Sequence, residues 1–341
     1  MTRRAHAPVR AVVTGGAGFI GSHLAEELLR RGDRVHVVDD LSTGRLANLA
    51  AVAGHPALQV TVASVAEPAV AARACAQADI VFHLAGVVGV RRLADEPLDV
   101  MQRNLRCTEV VAAAAAAARV PLLLTSSSEV YGDGPVPFRE QDPVRPGATE
   151  GLRGGYACAK AMGEWLAFGH AAQIGLPVVV ARLFNTVGPR QSGDHGMVLP
   201  RFVRQAVRGE PITVYGSGDQ TRCFAHVEEV VRALADLAEC PGAAGRVFNV
   251  GSAVETTVAG LAALVRQRAH SESVIQQVPF AEVFPSGFVD PPRRLPSLDR
   301  LRAAVGWVPA RALVQIVDEL LADARAGEIA GLAGAGVALP G

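Results

Sequence analysis

Short, nearly continuous apolar runs punctuate the first half of the chain. They read VRAVVTG (9–15), RVHVVDD (34–40), LQVTVA (58–63), DIVFHLA (79–85), PLLLTSS (121–127) and PVVVARL (177–183). Runs of this kind predict strands buried on both faces. Longer segments with helical spacing separate them, at 19–31, 68–77, 98–118 and 156–174. The alternation predicts an α/β fold built on a doubly wound parallel sheet. After residue 184 the rhythm breaks into turn-rich pieces, NTVGPRQSGDHG and VYGSGDQT, with short helices expected at 198–208 and 257–269. A smaller mixed α/β lobe fits that stretch, and RVFNVGS (246–252) reads as a strand returning to the main sheet or its edge. The expected division is a sheet domain of 1–183 plus about 224–252, a lobe of about 184–223 and 253–325, and a flexible Gly/Ala-rich tail at 326–341.

Composition narrows the partners. Half of the 341 residues are hydrophobic, enough for a large core, and 33 basic residues balance 33 acidic ones. No basic block suggests a nucleic-acid or membrane surface. The most apolar stretch, VVAAAAAAARV (110–120), is too short to span a bilayer and reads as a buried helix. Five scattered cysteines without CxxC spacing argue against a disulfide framework or a metal site and favour a reducing cytoplasm.

The first strand runs into TGGAGFIGSHL, in which Gly15, Gly18 and Gly21 follow a strand and open a helix. Glycines there allow a tight turn and close backbone approach to a pyrophosphate, and the helix N-terminus faces its charge. Asp39 ends the second strand about 20 residues on, where an acid meets ribose hydroxyls and repels a 2′-phosphate, so NAD is favoured over NADP. Tyr156 and Lys160 in GYACAKAMGEWL are spaced i, i+4 and share a helix face. A lysine cation and the positive ring of NAD⁺ are expected to lower the phenol pKa, so that phenolate takes a hydroxyl proton. YxxxK alone recurs by chance; behind a glycine loop and a serine-rich strand end, SSS at 126–128, it carries more weight.

The segments TGGAGFIGSHL, VVDDLSTG, FHLAG, SSSEVYGD, YACAK, RLFNTVGPRQ, YGSGDQTR and FNVGS, in this order over roughly residues 9–325, together resemble the extended short-chain dehydrogenase/reductase family of nucleotide-sugar enzymes. The resemblance implies a Rossmann-type domain holding NAD, a nucleoside-diphosphate sugar substrate, and a homodimer packed through helices 98–118 and 156–174, for which the poly-Ala face is suited. It places Phe19, Ile20, Ser42, Thr43, Gly44, Ser64, Val65, Leu84, Ala85 and Gly86 at the cofactor, with Gly15, Gly18, Gly21 and Asp39. Ser127, Tyr156 and Lys160 resemble the catalytic set, with Ser128 beside them. Asn185, Gln220 and Arg222 resemble groups holding diphosphate and nucleoside, with Val214 and Tyr215 near the base. Two departures stand out. Ser64 replaces a commoner aspartate at the adenine, and Gly86 replaces a commoner alanine, leaving room beside the nicotinamide.

The family's shared step is oxidation at sugar C4. The ketone can then be reduced on the other face, lose water, or lose CO₂ when C6 is a carboxylate. Dehydratases carry Asp-Glu after the serine or threonine, whereas this chain reads Ser128-Glu129. Simple 4-epimerases carry a small residue at the Glu129 position. The decarboxylases of UDP-glucuronate resemble this chain in S-E-V-Y-G and in an arginine near the C-terminus, here Arg294 in DPPRRLPSLDRLRAAVGW. UDP-xylose, with some UDP-4-keto pentose, is the product this resemblance implies. Against it, Ala157, Cys158 and Ala159 stand where the decarboxylase pattern is acidic, so a UDP-uronate or UDP-hexose 4-epimerase is the alternative. A non-catalytic NAD-binding protein would have lost the tyrosine or lysine, and both are present. Arg91 and Arg92, expected on the loop after the fourth strand, are secondary candidates for the uronate.

Overall fold

The structure, a computed structural model, describes residues 7–193, 196–284 and 290–334. Its first half comprises β1 (Arg10–Thr14), α1 (Phe19–Arg30), β2 (Arg34–Asp39), β3 (Leu58–Val62), α2 (Pro68–Cys75), β4 (Ile80–His83), α3 (Val90–Asp95), α4 (Pro97–Ala118), β5 (Leu122–Ser127), α5 (Leu152–Ile174) and β6 (Val178–Leu183). The second half comprises β7 (Thr186–Val187), α6 (Val198–Val207), β8 (Ile212–Tyr215), β9 (Thr221–Cys223), β10 (Ala225–His226), α7 (Val227–Glu239) and β11 (Arg246–Val250). It ends with β12 (Glu255–Thr257), α8 (Val258–Ala269), β13 (Ile275–Val278), α9 (Phe280–Val283), α10 (Asp299–Val305) and α11 (Leu313–Gly334).

Seven strands form one parallel sheet in the order β11-β6-β5-β4-β1-β2-β3. The chain starts in the middle and winds outward twice, so a crevice opens between the carboxyl ends of β1 and β4. The expected return of residues 246–252 is β11, which pairs with β6 at the sheet edge. One face is covered by Leu24 and Leu28 of α1, packed with Val230 and Leu234 of α7. The other carries Val70 and Ala71 of α2, Ala112 and Ala115 of α4, and Ala167 of α5. Each large aliphatic side chain fully buried in these layers contributes about 1.5–3 kcal/mol relative to exposure.

Part of the poly-Ala face is thus spent inside the subunit: Ala112 and Ala115 are fully buried in its own core. Small residues bring α4 and α5 close together. A Cβ on Gly163 of α5 would lie 3.0 Å from the Thr108 methyl of α4.

The smaller lobe packs α6, α8 and α11 around Phe202, Ile212, Leu261, Ile316 and Leu320. The expected flexible tail is corrected for 326–334, which continue α11. Alanine-rich sequence propagates a helix that packing has already nucleated. The rest of that stretch, 335–341, lies outside the described residues. Among the described residues no helix is long and apolar enough to cross a membrane.

Candidate active site

A groove of about 1310 Å³ runs past the carboxyl ends of β1, β2 and β4. Every residue expected at the cofactor apart from Tyr156 and Lys160 lines it: Gly15, Gly18, Phe19, Ile20, Gly21, Asp39, Ser42, Thr43, Gly44, Ser64, Val65, Leu84, Ala85 and Gly86. The glycine loop is built by backbone contact. Gly15 has φ +69°, and a Cβ on it would lie 2.8 Å from the Ala85 backbone; a Cβ on Gly21 would collide with the Gly15 carbonyl. α1 begins at Phe19 without a side-chain cap, so its first N–H groups are left for a ligand. The Asp39 carboxylate accepts from the Ala17 and Leu41 N–H groups at 2.9 and 2.8 Å. Burial pushes its pKa above the ordinary value, and those backbone bonds hold it down.

A second cavity of about 330 Å³ shares Phe19, Ile20, Leu84, Gly86 and Thr125 with the groove. Into it the fold brings Ser127, Ser128, Glu129, Tyr156, Lys160, Asn185, Tyr215, Gln220, Arg222 and Arg294. Tyr156 is 8% exposed and lies close enough to Ser127 for that hydroxyl to lower its pKa. Lys160 Nζ donates to the Thr125 carbonyl at 3.2 Å. Ser127 Oγ, capping a 3₁₀ turn at Ser128–Tyr131, accepts from the Glu129 N–H. That turn swings Glu129 toward a partner 165 residues away: Arg294 Nη1 meets its Oε1 at 2.5 Å, and both side chains are largely buried. Arg294 Nη2 is buried with no hydrogen-bond partner among the described residues.

The expected contribution of the NAD⁺ ring comes on top of the protein's own groups, which do not by themselves make Tyr156 a phenolate. Burial first, then the Glu129 carboxylate, pushes its pKa well above that of a free phenol, while Ser127 and Arg294 pull it back. Lys160 is held near 8, chiefly by burial. Desolvation disfavours both charged forms at once, and it outweighs the i, i+4 spacing read from the sequence.

Three further placements differ from expectation. Arg91 and Arg92 lie on α3, not on a loop. Arg91 pairs with Asp95 at 3.6 Å with its side chain 75% exposed, and it is not among the residues lining the cavity. Val214 is 1% exposed in the core of the lobe. Alternation along β8 points Val214 inward and Tyr215 into the cavity. The room at Gly86 is taken: a Cβ there would lie 2.6 Å from Asn104 Oδ1. Asn104 was missed. Its Nδ2 donates to the Val87 and Val100 carbonyls, and its Oδ1 has no partner among the described residues. The available signal was a carboxamide at helical spacing from Val100 and Val111, on the inward face of α4. Sequence reasoning also missed Asp290, which pairs with Arg222 at 2.7 Å, and Arg201, stacked on Tyr215.

A doubly wound sheet whose switch-point glycine loop opens onto a buried Tyr/Lys pair defines a dinucleotide-dependent enzyme that works on a hydroxyl-bearing substrate. More particularly, the model of the NAD dependent epimerase/dehydratase family matches residues 11–251, and the chain belongs to that family. It is 39% identical over 302 residues to a UDP-N-acetyl-alpha-D-glucosaminuronate decarboxylase of Bacillus cytotoxicus, covering 88% of this chain and 92% of that protein. It is 34% identical to UDP-glucuronic acid decarboxylase 1 of Arabidopsis thaliana, covering 93% of this chain and 70% of the relative. Among solved structures it resembles the dTDP-glucose 4,6-dehydratase DesIV of Streptomyces venezuelae with NAD bound: TM-score 0.84, 26% identity, 94% and 98% of the two chains. NAD is the cofactor of the family, and the groove fits it: a cradle that added Cβ atoms would fill, uncapped N–H groups for pyrophosphate, and an acid beside the ribose.

Proposed function

We propose that this chain decarboxylates UDP-glucuronic acid in an NAD-dependent reaction through a UDP-4-keto intermediate, giving UDP-xylose with some UDP-4-keto pentose. The observation that carries the reading is the Glu129–Arg294 pair, with an unpartnered guanidinium nitrogen, in the cavity that holds Tyr156. The decarboxylases among its relatives support it.

NAD, which the groove residues would hold, would accept the C4 hydrogen as hydride and return it to the C4 ketone after CO₂ loss to give UDP-xylose, or keep it where the 4-keto pentose is released. Tyr156, whose phenol pKa the positive ring of bound NAD⁺ would bring back down, takes the C4 hydroxyl proton, with Ser127 beside it in the cavity. A carboxylate on C5 is then β to a carbonyl. The C5–C6 bond breaks, its electron pair is delocalised onto O4, and CO₂ leaves. Tyr156 and Ser127 stabilise the developing oxyanion by hydrogen bonding. Arg294 Nη2 orients the leaving carboxylate. A bare guanidinium would stabilise that carboxylate as an anion and slow its loss. Glu129, holding Nη1, offsets the charge and orders the water that protonates C5.

The same reading assigns 1–183 plus about 224–252 to NAD and about 184–223 with 253–325 to the nucleotide sugar. Asn185, Gln220 and Arg222 hold the nucleotide. Leu98 and Leu105 of α4 and Met162 and Trp165 of α5 expose large apolar side chains, the face for a homodimer. Five free thiols suit the cytoplasm.

The test is incubation with NAD⁺ and either UDP-glucuronate or its 2-acetamido analogue, the substrate type named for the Bacillus relative. Release of CO₂ with a UDP-pentose is the expected result. A uronate inverted at C4, with no CO₂, would make the chain an epimerase.

A further inference from the structure

Arg201, the fourth residue of α6, lines the sugar-nucleotide cavity at 7% exposure. Its guanidinium carbon lies 3.8 Å from the centre of the Tyr215 ring, and its Nη1 donates to Thr213 Oγ1 at 3.0 Å. Its Nε is buried without a hydrogen-bond partner among the described residues. Four arginines are buried among the described residues. Arg182 is paired with Glu164, Arg222 with Asp290 and Arg294 with Glu129. Arg201 has no carboxylate partner among the described residues.

An uncompensated buried cation and an unmet buried N–H both cost folding free energy. Neither is needed to hold α6, whose apolar face is already seated in the lobe through Leu199, Phe202 and Val203. The arrangement makes sense as a cation left without a counter-charge on the cavity wall. A planar guanidinium laid on a tyrosine ring holds its in-plane N–H groups beside that ring, where a planar heterocycle can meet them edge-on.

We propose that Arg201 is the residue that reads the nucleobase, the part of its guanidinium that faces the cavity donating to the 4-keto oxygen of a uracil seated beside Tyr215. This rests on the nucleotide-sugar reading above. The diphosphate is the weaker candidate for Arg201, because the aromatic partner marks the base end and Arg222 already serves the phosphates. Of the two keto oxygens, O4 is distal to the ribose and enters deepest, where Arg201 is buried; O2 lies against the glycosidic bond.

The NAD-loaded protein is titrated with UDP and with CDP, in which an amine replaces the 4-keto oxygen. The wild type binds UDP at least ~10-fold more tightly than CDP, the scale of a hydrogen bond to a charged donor. Arg201→Met weakens UDP by ~10–100-fold on the same scale and changes CDP less than about threefold, erasing the discrimination. Arg201→Gln, which keeps a donor, recovers part of the gap. Equal losses for both nucleotides would mean a phosphate grip and overturn the proposal, as would loss for neither. Equal affinities in the wild type overturn it without any variant. If the wild type binds neither nucleotide, the nucleotide-sugar reading itself fails, and this assignment with it.

Discussion

The cofactor groove and the sugar cavity meet at Phe19, Ile20 and Gly86, yet they are built on different principles. The groove is made largely of backbone: a glycine loop pressed on Ala85, an uncapped helix start, and an acid tied to two amides. Those three parts lie within the first 86 residues, while the facing wall comes from later ones such as Arg190, Pro200 and Leu320. The cavity is made of side chains that meet only through the fold. Glu129 and Arg294 are 165 residues apart, and Arg222 meets Asp290 from a different element. A backbone site is specified by local spacing. A side-chain site is specified by topology, and its electrostatics follow from burial.

If the two regions are separable, Tyr156→Phe should lower CO₂ release by ~10²–10⁴-fold while bound NAD, measured on the purified protein, is unchanged. Loss of NAD in that variant would show that the tyrosine belongs to both regions. The converse is Gly21→Ala, which drives a methyl into the Gly15 carbonyl. It should empty the groove of NAD while UDP binding by calorimetry shifts less than about threefold, within the scatter expected of independent sites. Next comes the coupling across the cavity. Glu129→Gln and Arg294→Met should be non-additive in kcat, with a coupling energy of about 1–3 kcal/mol; simple additivity would mean that the 2.5 Å pair is incidental.

A smaller effect concerns neither region. His226 is fully buried and its pKa is held near 4, chiefly by burial; His83, likewise buried, is held near 3. Both values lie below that of a free imidazole, so between pH 6.5 and 4 the unfolded chain binds more protons than the folded one. Stability therefore falls as pH falls through that window. The unfolding midpoint should drop accordingly, and His226→Gln should flatten the slope. The smallest effect is expected at Arg91→Ala, with kcat/KM within about twofold of wild type, because exposed i, i+4 pairs contribute little.

The contrast also explains what could be read from residues alone. The strands, the glycine loop and Asp39 were legible because each signal is local. Tyr156 and Lys160 were legible as a pair, but their pKa values were not, since desolvation depends on the walls that close over them. Glu129 and Arg294 were picked separately for the uronate; that they bind each other needed the 3₁₀ turn and the strap after Asp290. Arg91 was misplaced because a six-residue helix has too little periodicity to announce itself. Val214 and Tyr215 were both expected near the base, and on a strand only one of two neighbours can face the cavity. Asn104 and Arg201 carry no motif. What marks them is an unmet hydrogen-bonding atom, which only a packed structure reveals.

The 165-residue span between Glu129 and Arg294 has a consequence for how the molecule is born. Chains leave the ribosome at about 5–20 residues per second, so Glu129 emerges on the order of 10 to 30 seconds before its partner. When Glu129 emerges, the glycine loop and five of the seven sheet strands have already been made, while the strands at 178–183 and 246–250 and the closing arginine have not. A nascent chain can therefore recruit its dinucleotide early. It gains the means to break a carbon–carbon bond only once Arg294 has followed.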